Sequence, residues 1–132
     1  MTESANLDLV RSIYADWERG DFRQTDWADP QIEFALLGGP DPGRWTGIPE
    51  MAHAWRTWIA SWSAYRLEAE QFRDLDGGRV LVLVRGFARG KTSGVEVENL
   101  NANVLTISDG KVTRLVSYNN RAEALKAVGL KE

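Results

Sequence analysis

Few side chains in this sequence can do chemistry, and their types limit what chemistry is open. Among 132 residues there is no cysteine and one histidine. That removes thiol nucleophiles, thiolate metal sites and disulfides, and leaves no histidine-rich metal centre, so no metal or other cofactor is expected. Any catalysis would fall to carboxylates, phenols, amides or basic side chains. The most distinctive polar pattern is a row of amides between Val95 and Ile107. Alternate side chains of a strand face one side, so Val97, Asn99, Asn101, Asn103, Leu105 and Ile107 project together. Amides on an apolar face need partners. The row therefore predicts a stripe that orients carbonyl or hydroxyl groups of a ligand, with Leu105 beside it. For Asn99 and Asn101, a bulge or an exposed or dimer-facing stretch would explain the spacing equally. Asn103 is the better pocket candidate, because Leu105 and Ile107 continue its face.

Other candidates carry competing explanations. Asn120 precedes Arg121-Ala122-Glu123 and fits a helix N-cap, with ligand contact as a second role. Arg85 sits in an otherwise apolar strand, where it needs a carboxylate or an anionic ligand, or shares an outward face with Arg79 and Arg89. His53 lies opposite the apolar arc of its helix and reads as a surface residue. Six tryptophans are present. Trp55 and Trp62, with Met51 and Ile59, form a stripe that serves as core or as the roof of a pocket, and Trp17 faces inward from an earlier helix. Trp45, next to Gly38-Gly39-Pro40-Asp41-Pro42-Gly43, reads as a lid on a loop.

Elements must position these groups. Apolar spacing predicts a helix from Leu7 to Arg19, stopped by Gly20, and a second from Pro49 to about Trp62. Gln31–Leu37 reads as a short strand. Tyr65–Leu75, Arg79–Arg89, Val95–Ile107 and Lys111–Asn119 are strands joined by short links, including Asp76-Gly77-Gly78 and Ser108-Asp109-Gly110, and so form an antiparallel meander. A last helix, Arg121–Val128, closes at Gly129. The chain reads as one α+β domain over residues 1–132: a curved antiparallel sheet with helices packed on one face.

Charge and hydropathy narrow the partners. Sixteen Lys and Arg against 19 Asp and Glu give a formal charge of -3, too little basic field to hold a nucleic acid. The first twenty residues carry Asp8, Arg11, Asp16, Glu18 and Arg19, so they are neither signal peptide nor membrane span, and a cytoplasmic protein is expected.

The order of elements resembles the cone-shaped α+β superfamily of nuclear transport factor 2, ketosteroid isomerase, limonene epoxide hydrolase and the SnoaL-type polyketide cyclases. The resemblance rests on Trp17-Glu18-Arg19-Gly20-Asp21-Phe22 at the first helix end, on Asp29-Pro30 before the first strand, and on Asp109-Gly110-Lys111-Val112 through Tyr118-Asn119-Asn120-Arg121 to Ala124-Leu125-Lys126-Ala127-Val128-Gly129-Leu130. The Gly90-to-Val95 segment and that tail are most similar to the SnoaL-like branch. The resemblance implies a conical cavity between the concave sheet face and the helices, a small apolar ligand, and a homodimer. It also implies where catalytic groups would stand. The epoxide hydrolase acids and arginine fall on Asn120 and near Gly86 and Ala88. The isomerase base falls near Phe34, its enolate-stabilising tyrosine nearer Ile13 than Tyr14, and its second donor on Asn103. The cyclase acid falls at Asn119 or Asn120. An amide is not a general base at neutral pH.

Two functions follow as expectations. The first is a cofactor-independent cyclase or isomerase acting on an apolar carbonyl compound, with Tyr14, Asn103 and Asn120 as catalytic candidates. The second is a non-catalytic binding or accessory protein. Trp17, Phe34, Trp55, Trp62, Asn99, Asn101, Leu105 and Tyr118 are the ligand-binding candidates in either case.

Overall fold

A computed structural model describes residues 4–38, 42–75 and 77–130. Its elements run α1 (Ala5–Glu18), β1 (Ala28–Leu37), β2 (Gly43–Thr46), α2 (Ile48–Ala60), β3 (Trp62–Leu75), β4 (Arg79–Gly90), β5 (Glu96–Ser108), β6 (Lys111–Tyr118) and α3 (Arg121–Ala127). Gly39, Pro40 and Asp41 of the Gly/Pro stretch, and Asp76 of its turn, lie outside the described residues.

Local chemistry sets the helix ends. Ser4 caps α1 by accepting from the Leu7 N–H at 3.0 Å, and Gly20, at φ 82°, ends it. The face of α1 at three-and-four spacing, Val10, Ile13, Tyr14 and Trp17, is buried. Pro49 stands in the first turn of α2, where a missing N–H costs nothing. Between β5 and β6, Asp109 and Gly110 both have positive φ (51° and 76°), the backbone a two-residue hairpin turn requires.

The six strands form one sheet in the order β2-β1-β6-β5-β4-β3. Strands β3 to β6 are the expected meander. The all-antiparallel expectation is corrected at β1, which runs parallel to β6. No hairpin joins those two strands, so no tight turn dictates their direction. A second correction is β2: residues 43–46 pair antiparallel with β1, so Trp45 sits on an edge strand and not on a loop. The third concerns α3. It packs with Leu81, Ala102 and Val104 in a cluster separate from the main core, while α1 and α2 lie with Val80, Val82, Val84 and Leu105. Since 81 alternates with 80 and 82 on β4, the helices divide between the two faces of the sheet.

Most of the core lies under α1. Val10, Ile13, Tyr14, Ile32, Met51, Val80, Val82, Leu105 and Leu115 are at most 2% exposed, and each such aliphatic contributes about 1.5–3 kcal/mol relative to an exposed position. Bulges in β3, between Trp62 and Ala64 and between Ala69 and Gln71, bend the long strand as bulges do. The second is tied to α1, because Glu18 Oε2 accepts from the Ala69 N–H at 2.9 Å.

Candidate functional site

Strands β1, β6, β5, β4 and β3 present alternate side chains to the face covered by α1 and α2, and beyond the packed core this face opens into a hollow of about 350 Å³. Trp55 and Trp58 come from α2, Trp17 from α1, Trp45 from β2, Phe34 from β1, and Trp62 and Tyr65 from β3. The rings support one another. Trp55 meets Trp17 edge-on at 5.2 Å and 88° and Phe34 at 5.9 Å and 87°, while Trp45 stacks on Phe34 at 5.4 Å. Gly43 allows the last arrangement, since a Cβ there would come within 2.9 Å of the Trp45 ring.

The opposite wall is the amide row. Asn99 is exposed, Asn101 half-buried and Asn103 only 8% exposed, so the row descends from the mouth to the floor. Asn99 Nδ2 donates to Asn119 Oδ1 at 3.1 Å across the sheet. At the floor, Asn103 Nδ2 donates to the hydroxyl of Tyr14 at 2.6 Å, and Asn103 Oδ1 has no partner. Turning the amide over would let the hydroxyl donate to Oδ1 and leave the NH2 unpaired instead. In both orientations one polar end of a buried amide is unmet.

Trp62 reaches the hollow by a route the helical stripe did not predict. It begins β3 and lies outside α2. Trp62 pairs with Gly90 and Ala64 with Arg89, so two steps along β3 match one along β4. The extra residue reverses the alternation, and Trp62 and Tyr65, three apart, line the same space.

Among the described residues that line the hollow there is no Asp, Glu, His, Lys or Arg. Tyr65 is the one phenol among the described lining residues, and burial is the main cause that raises its hydroxyl above the ordinary value, with Trp58 opposing it. Burial is also the main cause that pushes Tyr14 far above the ordinary phenol range, with the hydrogen bond from Asn103 opposing it. Both phenols keep their protons at neutral pH. No group of three or more His, Cys, Asp or Glu that could hold a metal ion occurs among the described residues.

Of the residues singled out from the sequence, the structure gathers Trp17, Phe34, Trp55, Trp62, Asn99, Asn101 and Asn103 around the hollow. Four others stand elsewhere. Tyr14 is fully buried behind Asn103, and Leu105 is fully buried in the core. Tyr118 packs with α3 on the other side of the sheet, because it alternates with Ser117 and Asn119. Asn120 is exposed and caps α3 by accepting from the Glu123 N–H at 3.2 Å. Arg85 faces outward, 3.0 Å from Glu70 and paired also with Glu98. Arg121 joins this network through Glu70 and the carbonyls of Asn101 and Val84, and its hydrogen bond is the first reason that the Glu70 carboxyl lies below its usual value.

Several lining residues escaped sequence reasoning. Ser117 shares parity with Leu115 and Asn119, so counting along β6 would have found it. Tyr65 shares parity with Leu67, so the same counting along β3 would have found it, whereas the side of Trp62 depends on the bulge, which leaves no local signal.

No protein-family model matches the chain, and no curated protein matches it. Solved structures do. An NTF2-like protein from Burkholderia thailandensis superposes with a TM-score of 0.79 at 20% identity, covering 95% of this chain and 98% of its own. TerC, co-crystallised with polyporic acid, gives 0.74 at 18% identity over 96% and 99%. A protein named as a SnoaL-like polyketide cyclase from Jannaschia gives 0.75 at 14% identity over 100% and 99%. At these identities the likeness is one of fold. The chain has the NTF2-like α+β cone fold.

Proposed function

We propose that this NTF2-like chain uses the hollow to bind a small, uncharged, mostly apolar molecule, and that it acts as a binding or accessory protein. One observation carries the reading: aromatic rings, aliphatic groups and amides line the hollow, and no described lining residue can act as a base at neutral pH or balance the charge of an ion. TerC supports the binding of a small molecule by analogy, since that protein of similar fold was co-crystallised with polyporic acid. A cofactor-independent cyclase or isomerase is the second reading. It has in its favour the protonated hydroxyl of Tyr65 and the cyclase name of the Jannaschia protein, but it requires a base that the described lining does not supply.

The test is a fluorescence titration with N-phenyl-1-naphthylamine, a neutral aromatic probe, beside its sulfonated analogue 1-anilinonaphthalene-8-sulfonate. Saturable binding of the neutral probe is expected, with weaker binding of the anion. Gly86→Leu projects a side chain into the hollow from a strand position and should abolish the signal. Equal binding by wild type and Gly86→Leu would place the probe elsewhere and overturn the reading. The homodimer and the cytoplasmic location expected from the sequence belong to this proposal. No helix among the described residues is long and apolar enough to cross a membrane.

A further inference from the structure

We infer that the end of the hollow beside Trp58, Trp62 and Tyr65 is a subsite for an uncharged hydrogen-bond acceptor on the ligand, such as a ketone, lactone or ether oxygen. The inference rests on the reading of the hollow as a binding site and adds what one end of its ligand must carry.

Three observations converge there. First, the indole Nε1 of Trp62 is buried and has no hydrogen-bond partner. An indole N–H can only donate, and an unmet buried donor favours whatever molecule brings it an acceptor. Second, Tyr65 lines the same hollow, and its hydroxyl carries a proton it can donate. Trp62 and Tyr65 both lie edge-on to Trp58, at 5.5 Å and 70° and at 6.4 Å and 83°, so the two side chains that carry the donors meet one ring. Third, the strand opposite supplies Gly86. The position of a Cβ on Gly86 is 3.7 Å from Tyr65 Oη, so no side chain of that residue fills the space beside the hydroxyl.

The charge of the acceptor follows from the same wall. Two neutral donors with no cation among the described lining residues favour a dipole over an anion, because a carboxylate buried there would lack a counter-charge. The arrangement depends on the bulge at the start of β3, which turns Trp62 to the side that Tyr65 already faces.

Equilibrium dialysis with benzophenone and diphenylmethane, matched in size and differing in one carbonyl, tests the subsite. Wild type should bind the ketone about ten-fold more tightly. Trp62→Phe and Tyr65→Phe should each reduce that preference to about three-fold, with diphenylmethane binding unchanged. Gly86→Ala should also weaken the ketone selectively, and it keeps the fold, since its Cβ meets Tyr65 Oη and the Asn99 carbonyl at ordinary distances of 3.7 and 3.9 Å. Weaker binding of 4-benzoylbenzoate than of benzophenone at pH 7 is expected. Equal affinity for the two matched probes, a preference unchanged in all three variants, or tighter binding of 4-benzoylbenzoate would overturn the subsite. If neither benzophenone nor diphenylmethane binds while N-phenyl-1-naphthylamine does, the subsite falls and the binding reading stands; if none of the three binds, both fail.

Discussion

The contact between Tyr14 and Asn103 is a hydrogen bond between two buried side chains 89 residues apart in sequence. Losing one partner leaves the other unmet in the core, which costs about 1–3 kcal/mol. Tyr14→Phe and Asn103→Leu should therefore each lower stability by that amount in urea unfolding. The double variant should lose less than the sum, because it removes both polar groups together. Titration gives a second readout. The folded Tyr14 hydroxyl holds its proton above the value of about 10 of an unfolded tyrosine, so the folded state binds more protons at alkaline pH. The resulting stability is whole below pH about 9 and is lost as pH rises past about 10. The urea midpoint of wild type should fall over that range, and Tyr14→Phe should flatten the fall; an identical slope in both proteins would contradict the assignment. A phenol held neutral in this way can donate a hydrogen bond but does not act as a base at neutral pH.

At the scale of elements, α3 shows how a functional expectation and a structural one compete for the same residue. Asn120 was a candidate for both, and its place at the start of a seven-residue helix on the face away from the hollow settles what its side chain touches. Replacing Asn120 by Ala should cost about 1 kcal/mol, and replacing it by Asp should change stability by less than about 0.5 kcal/mol, since both Asn and Asp are good caps. Thermal unfolding distinguishes these outcomes. Helices α1 and α2 were legible because their apolar faces repeat at helical spacing over several turns. Strand β2 was not, since four residues after a Gly/Pro stretch carry too little pattern, and only pairing with β1 makes them a strand. The start of β3 was misplaced for a related reason: Trp62 continues the apolar spacing of α2, but the helix ends at Ala60 and the chain crosses into the sheet.

For the whole molecule, Val95 and the first half of β5 that follows it carry exposed large apolar residues. Val95, Val97 and Leu100 are 60%, 46% and 45% exposed, and large exposed apolar residues grouped on one segment mark a surface suited to association. The proposed homodimer would cover part of it. Light scattering should give a mass near twice that of the 132-residue chain, and Leu100→Glu should shift it toward the monomer. A monomer at all concentrations would remove the dimer from the proposal while leaving the hollow intact, because every lining residue named above comes from one chain.

By itself, the sequence determined the excluded chemistry, the helical and extended periods, and the alternation that sets Asn99, Asn101 and Asn103 on one face. These are properties of residue type and of spacing within a single element, so neighbouring elements cannot change them. The tertiary structure decided which way that face points, that β1 lies parallel to β6, that Tyr118 and Asn120 lie away from the hollow, and that a bulge brings Trp62 and Tyr65 together. Each of these depends on pairing or packing between segments far apart in the chain. A strand pattern gives two faces without saying which is covered, and one extra residue in a ladder exchanges them.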